Sequence, residues 1–238
     1  MKAAGDRLLE LIRSRNPRLV FLGEDHRHAE VKAIYADVIG EIARNPASQV
    51  CYFHELSEAM NGALQGLGAM NRSTLVSTAC FELAYHEHSR NFRRIFDRQP
   101  SHWLNPDSLA NLARRGVRLT AVDWSPTETQ LTELRETIDQ MSSPDSIISD
   151  RAKANFDRIL ITERNPIMGA RIRSRFASEG CTIAFISVGL RHLFPRAGIV
   201  PLQQDLSSLS GHIVVNGRNC PPMGCNNESQ ADLNLFLW

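Results

Sequence analysis

Two stretches decide the reading of this sequence: Leu19-Val20-Phe21-Leu22-Gly23-Glu24-Asp25-His26, and Ile183-Ala184-Phe185-Ile186-Ser187-Val188-Gly189-Leu190-Arg191-His192. Each is an apolar run of strand length that ends in Gly-x-x-His. Runs of this kind, bounded by turn residues and rich in branched side chains, read as buried strands. If both strands lie in one sheet and point the same way, their histidines leave its carboxyl edge as neighbours, which is where open α/β sheets bind ligands. The strands span 18–22 and 181–188.

The segments between them alternate in period. A short amphipathic helix over 6–15 carries Leu8, Leu9, Leu11 and Ile12, and Asn16-Pro17 ends it. Helical spacing of Val31, Ile34, Tyr35, Val38, Ile39 and Ile42 predicts a helix from Arg27 to about Arg44, before Asn45-Pro46. A strand follows at 50–53, then a mainly helical region over 55–98, a helix from Trp103 to Arg115 and a strand at 117–122. Helices are expected over 127–141 and 146–162. Asn165-Pro166 then pairs a good N-cap with the residue favoured at the first helical position, predicting a helix that starts there, buries Ile167, Met168, Ile172 and Phe176, and ends at Gly180. Further short strands are expected near 198–201 and 211–215. Strands interleaved with helices give a single α/β domain over residues 1–238, with a largely parallel central sheet flanked by helices. Its core spans about 18–215, and 216–238 form a tail of Gly, Pro and Asn turns.

Composition narrows the function classes. The chain has 238 residues, 42% hydrophobic and 22% charged, with a formal charge of +1. It is long enough to bury a sizeable core. Three lysines stand against 24 arginines, and the arginines form no stripe, so neither nucleic acid nor a membrane is an expected partner. Met1 to Arg15 lacks the apolar core of a Sec signal, and no stretch approaches the ~20 apolar residues of a membrane span. Five cysteines do not form the framework of a disulfide-rich secreted domain, and Cys220 and Cys225 around a Pro-Pro-Met-Gly turn read as free thiols. Folding in a reducing cytoplasm is the simplest expectation.

Four segments should deliver polar groups to one sheet edge. These are Glu24 and His26 after the first strand, His54 and Glu55 after the second, Asp123 after the third, and His192 after the late strand. Carboxylates and imidazoles gathered at the ends of buried strands shift one another's proton affinity, which suits general acid/base chemistry or a divalent metal held by Glu24, His26, Glu55 and His192. Each residue also has a plainer reading. Glu55 could simply face a helix dipole, and Asp123 could be a turn residue before Ser125-Pro126. His28, His54, His86 and His88 read as surface or supporting residues. Arg164 and Asn165, at an expected helix start, could bind a carboxylate, a phosphate or a developing oxyanion.

The order Gly23-Glu24-Asp25-His26, Glu55, Asp123, Arg164-Asn165-Pro166-Ile167-Met168, Gly189-Leu190-Arg191-His192 resembles the erythromycin esterase, ChaN and TIKI/TraB superfamily over roughly residues 18–195. That resemblance implies an α/β protein with a polar cleft at the sheet edge. Glu24, His26, Glu55 and His192 would be the catalytic or metal-binding set, Arg164 would support it, and Asp123, Asn165 and His54 would stand behind. The activities within the superfamily differ: macrolide ester cleavage, metal-dependent proteolysis and haem binding. The chain is shorter than erythromycin esterases and looks similar in size and composition to plant-pathogen type III effectors of the HopBA class. This implies a stay in the bacterial cytoplasm before secretion and in the host cytoplasm after it, with host cell death or an immune response as the outcome.

Three classes of function follow. The first is a hydrolase acting on an ester or amide-type bond of a small molecule or host protein. In it His26 or His192 activates water, since the chain has no Gly-x-Ser-x-Gly elbow to present a serine. No cofactor is expected on this reading, although the metal alternative stays open. The second is a non-catalytic module that binds haem or a host-protein segment, and the third is an effector whose effect comes from being recognised by a partner, with the cleft a vestige.

Overall fold

The computed structural model describes residues 2–24, 29–68, 79–85, 106–124, 126–195, 198–209, 211–217 and 231–235. The elements run α1 (Lys2–Arg15), β1 (Leu19–Glu24), α2 (Ala29–Ile42), β2 (Val50–Ser57), a 3₁₀ turn (Glu58–Met60), α3 (Asn61–Leu67), α4 (79–85), α5 (Pro106–Arg114) and β3 (Arg118–Asp123). After these come α6 (Glu128–Met141), α7 (Ser146–Asp157), a π-helical turn (Arg158–Thr162), α8 (Arg164–Ser178), β4 (Ile183–Gly189), α9 (Leu190–Leu193), α10 (Leu202–Asp205), β5 (His212–Gly217) and β6 (Leu233–Asn234).

The six strands form one sheet in the order β3-β2-β4-β1-β5-β6, and every pairing is parallel. A parallel sheet is covered on both faces, so its inner strands need no polar alternation. All residues of β1, β2 and β4 are buried. One face packs Val20, Leu22, Val50, Tyr52 and Phe185 against α1, α2 and α5. The other packs Phe21, Cys51, Phe53, Ala184 and Ile186 against Met168, Ile172 and Phe176 of α8. Each such side chain contributes ~1.5–3 kcal/mol relative to exposure, and these two layers hold the sheet edge in place.

The two Gly-x-x-His motifs do end adjacent strands. Gly23 pairs with Val188 and Glu24 with Gly189, one residue out of step. Their contact is close: a Cβ placed on Gly23 would lie 2.6 Å from Leu190 Cδ2 and 3.2 Å from Leu193 Cδ1. Val215 O of β5 lies 3.0 Å from the same point, so glycine at 23 suits a position hemmed in by β5 backbone on one side and the short helix of the second motif on the other.

Several local expectations need correction. α8 does not begin with an Asn165 cap. Chain already helical runs through α7 and the π-helical turn, where Glu163 N donates to Arg158 O at 2.9 Å, straight into α8 at Arg164. Pro166 sits in its first turn, where a missing N–H is tolerated. The helix that was expected over 146–162 thus ends as α-helix at Asp157. Ile167, expected in the core, is 36% exposed, whereas Met168, Ile172 and Phe176 are buried. Gly180 follows the helix at φ +65°, as expected of a stop. Residues 198–201 form no strand, and β2 runs on through His54 and Glu55 to Ser57. The tail supplies one strand: Leu233 and Asn234 pair with Val215 and Asn216.

A disulfide joins Cys51 to Cys181, 130 residues apart. The sequence reading pointed to reduced thiols and missed it. Cys220 and Cys225 lie outside the described residues, and Cys80 is free and exposed. No helix among the described residues is long and apolar enough to cross a membrane.

Candidate functional site: a polar edge divided between two faces

Strand order places Asp123, Glu55, Gly189 and Glu24 side by side at the carboxyl ends of β3, β2, β4 and β1. Alternation along the strands then divides the polar residues. Glu55 follows Phe53 toward α8, whereas His54 follows Tyr52, and Glu24 follows Leu22, toward α2. Two buried clusters result, one on each face.

On the α8 face, Arg164 is the centre. Its Nε donates to Asp123 Oδ1 at 3.0 Å and its Nη2 to Asp123 Oδ2. The same Nη2 donates to Glu55 Oε1 at 2.7 Å, and Nη1 to Leu160 O at 3.3 Å. Burial opposes the charge on Arg164, but the Asp123 and Glu55 carboxylates outweigh it and raise the affinity of the guanidinium for its proton. Glu55 Oε2 also accepts Gly189 N at 2.6 Å, which binds the end of β2 to the end of β4.

His192 lies behind this pair at 2% exposure. Its Nε2 is 3.2 Å from Glu55 Oε1, and its Nδ1 is 2.6 Å from Asn165 Oδ1. The Asn165 amide nitrogen donates to Val200 O at 3.0 Å and to His192 O at 3.4 Å, which turns Oδ1 toward the ring. An amide oxygen only accepts, so Nδ1 donates to Asn165 Oδ1, and Nε2 faces Glu55 Oε1. Asn165 is thus the orienting partner of an imidazole and not a helix cap.

The expected role of Arg164 changes for the same reason. Its donors are committed to two carboxylates and a carbonyl, and α8 continues the π-helical turn, so its own start offers no free N–H groups to an anion. It fixes Asp123 and Glu55 in place.

On the α2 face, Glu24 accepts the Ser187 hydroxyl and pairs with Lys32 Nζ at 3.0 Å, with the Lys32 and Glu24 side chains only 4% and 1% exposed. Lys32 is the one buried lysine of the chain's three. Sequence reasoning missed both Lys32 and Ser187. A signal existed for Lys32: it stands seven residues before Ile39, at the margin of the apolar stripe of α2. His54 is buried and meets Tyr52 edge-to-face at 5.6 Å, in this layer and away from Glu55. His26, His28, His86 and His88 lie outside the described residues.

Tyr35 donates to Gly23 O at 2.7 Å. Burial first, and the negative charge of Glu24 second, push the phenols of Tyr35 and Tyr52 well above their ordinary range. The unfolded chain releases these protons near pH 10 and the native one holds them, so stability falls as pH rises through that value. In an alkaline titration followed at the tyrosinate absorbance, two of the three tyrosines are expected to ionise only as the protein unfolds. Smooth titration of all three in folded protein would contradict the assignment.

Among the described residues, no group of three His, Cys, Asp or Glu side chains that includes Glu24, Glu55 or His192 has its ligand atoms mutually within 4.8 Å. Glu24 and Glu55 point to opposite faces, so the described part of the expected four-residue metal set is not gathered at one point.

The solved structure of the type III effector HopBA1 superposes with a TM-score of 0.58 at 13% identity, covering 97% of this chain and 92% of that one. This chain shares its fold with a type III effector. No family model and no curated protein matches the sequence.

Proposed function

We propose that this chain is a hydrolase-like effector whose chemistry is carried by His192 and Glu55 at the carboxyl edge of the sheet. The supporting observation is the linear relay Asn165–His192–Glu55–Arg164–Asp123, in which each polar side chain has a fixed partner and Asn165 orients the imidazole. Structural polar residues at strand ends need no oriented imidazole beside a carboxylate, whereas general acid/base catalysis does. On this reading His26 draws a proton from attacking water, or His192 does so once its Nε2 leaves Glu55 for that water. Glu55 holds the charge that develops on His192, Glu24 holds a second charge on the α2 face, and Arg164 keeps Glu55 and Asp123 aimed. The fold shared with HopBA1 supports a role delivered into a host cell, and the motif order of the erythromycin esterase superfamily supports an ester or amide-type bond as the target.

The test is His192→Gln, which keeps bulk and one hydrogen bond but cannot cycle a proton. Hydrolysis of a panel of nitrophenyl esters, and tissue collapse after expression in leaves, are expected to fall by about 100-fold or more, with folding retained by circular dichroism. Collapse that persists at full strength in the variant would overturn the catalytic reading and favour recognition of the protein by a host partner.

A further inference from the structure

The amino-terminal edge of the sheet, opposite the polar relay, holds a second piece of chemistry. Cys51 lies at the start of β2 and is fully buried, while Cys181, 7% exposed, lies between Gly180 and β4. Their Cα atoms are 5.8 Å apart. Glu179 Oε2 lies 3.8 Å from Cys51 Sγ, and its Oε1 accepts the Thr120 hydroxyl at 3.2 Å. In the reduced chain a Cys51 thiol therefore has an acceptor in place, so the pocket can accommodate either oxidation state without an unpaired donor.

We propose that Cys51 and Cys181 form a reversible redox-modification site, closed by exchange with small disulfides and opened by small thiols. The more accessible Cys181 thiolate attacks a low-molecular-weight disulfide RSSR, whose S–S bond breaks and expels RS⁻, leaving a mixed disulfide on Cys181. Cys51 gives up its proton through Glu179, and its thiolate attacks the Cys181 sulfur, expelling the second RS⁻. Two cysteines lose two electrons, RSSR gains them, and the two thiol protons end on two RSH. The cross-link joins the strand that carries Glu55 to the turn between α8, which carries Arg164 and Asn165, and β4, which leads to His192. It closes a loop spanning 130 residues, so its main effect is to restrict the unfolded chain.

Among the described residues, the same sulfurs and Glu179 would offer a metal three donors, one fewer than a closed structural zinc site uses. That alternative is decided by the same experiment. The full chain is equilibrated in mixtures of reduced and oxidised glutathione, alkylated, and mapped by mass spectrometry beside thermal unfolding and zinc analysis. Cys51 and Cys181 are expected to be protected together on the oxidising side and alkylated together on the reducing side, with the melting temperature about 5–15 °C lower when open. Cys181→Ser, which leaves the buried Cys51 in place, should melt like reduced wild type and ignore the glutathione ratio. Three results would overturn the proposal: a cross-link that survives millimolar reduced glutathione in the native protein, a melting temperature indifferent to reduction, or stoichiometric zinc on the reduced chain.

Discussion

Replacing Arg164 with methionine is expected to cost about 3–5 kcal/mol of folding stability at neutral pH, because it leaves Glu55 and Asp123 as buried carboxylates without their cation. For a chain of this size that corresponds to a fall of roughly 6–20 °C in melting temperature. The side chains concerned are only 6–8% exposed, so water cannot take over as the partner. Arg164→Lys should recover only part of the loss, since one ammonium cannot span the Nε and Nη2 contacts to Asp123 while also reaching Glu55. A methionine variant as stable as wild type would show that Arg164 does not hold this cluster together.

Lys32→Met should be comparably severe, at about 3–5 kcal/mol, because it takes the ammonium at 3.0 Å away from a buried Glu24 carboxylate beside Ser187 and the two raised tyrosines. The informative variant is the double one. Lys32→Met combined with Glu24→Leu removes both charges and replaces them with apolar bulk, and it is expected to recover most of the stability by urea unfolding. Recovery of stability without recovery of the leaf or ester phenotype would show that the pair is kept for something other than folding. A double variant no better than Lys32→Met alone would make the pair a structural requirement.

The fold was legible in this sequence because its strongest signals are local. Buried parallel strands announce themselves as unbroken apolar runs, and the ionisable residues that end them stand out against that background, which is why Glu24, Glu55, Asp123 and His192 could be picked from four separate segments. What failed depended on information outside a window of sequence. Asn165-Pro166 carries a cap-and-start signal, yet the π-helical turn upstream was already supplying helical chain, so the asparagine was free to orient His192. Strand alternation decides which face each residue joins, but a strand expected to stop at Phe53 gave no reason to separate His54 from Glu55. Lys32 was hidden by its helix, whose polar positions are ordinarily solvated. The Cys51–Cys181 pairing spans more than half the chain and could not be chosen among five cysteines by spacing alone.

The contact of Gly23 with Leu190 and Leu193 makes the two motifs historically dependent. A side chain at 23 would displace the ends of Leu190 and Leu193 and crowd Val215 O of β5 at 3.0 Å, whereas a smaller 190 relieves only part of this and opens a gap that glycine cannot fill. Neither position is set by the other alone, since β5 supplies the fixed wall against which both must fit. Relatives that keep both motifs should therefore vary at these positions jointly, and a chimera taking β1 from one relative and β4–α9 from another should misfit here even where every polar residue of the relay matches.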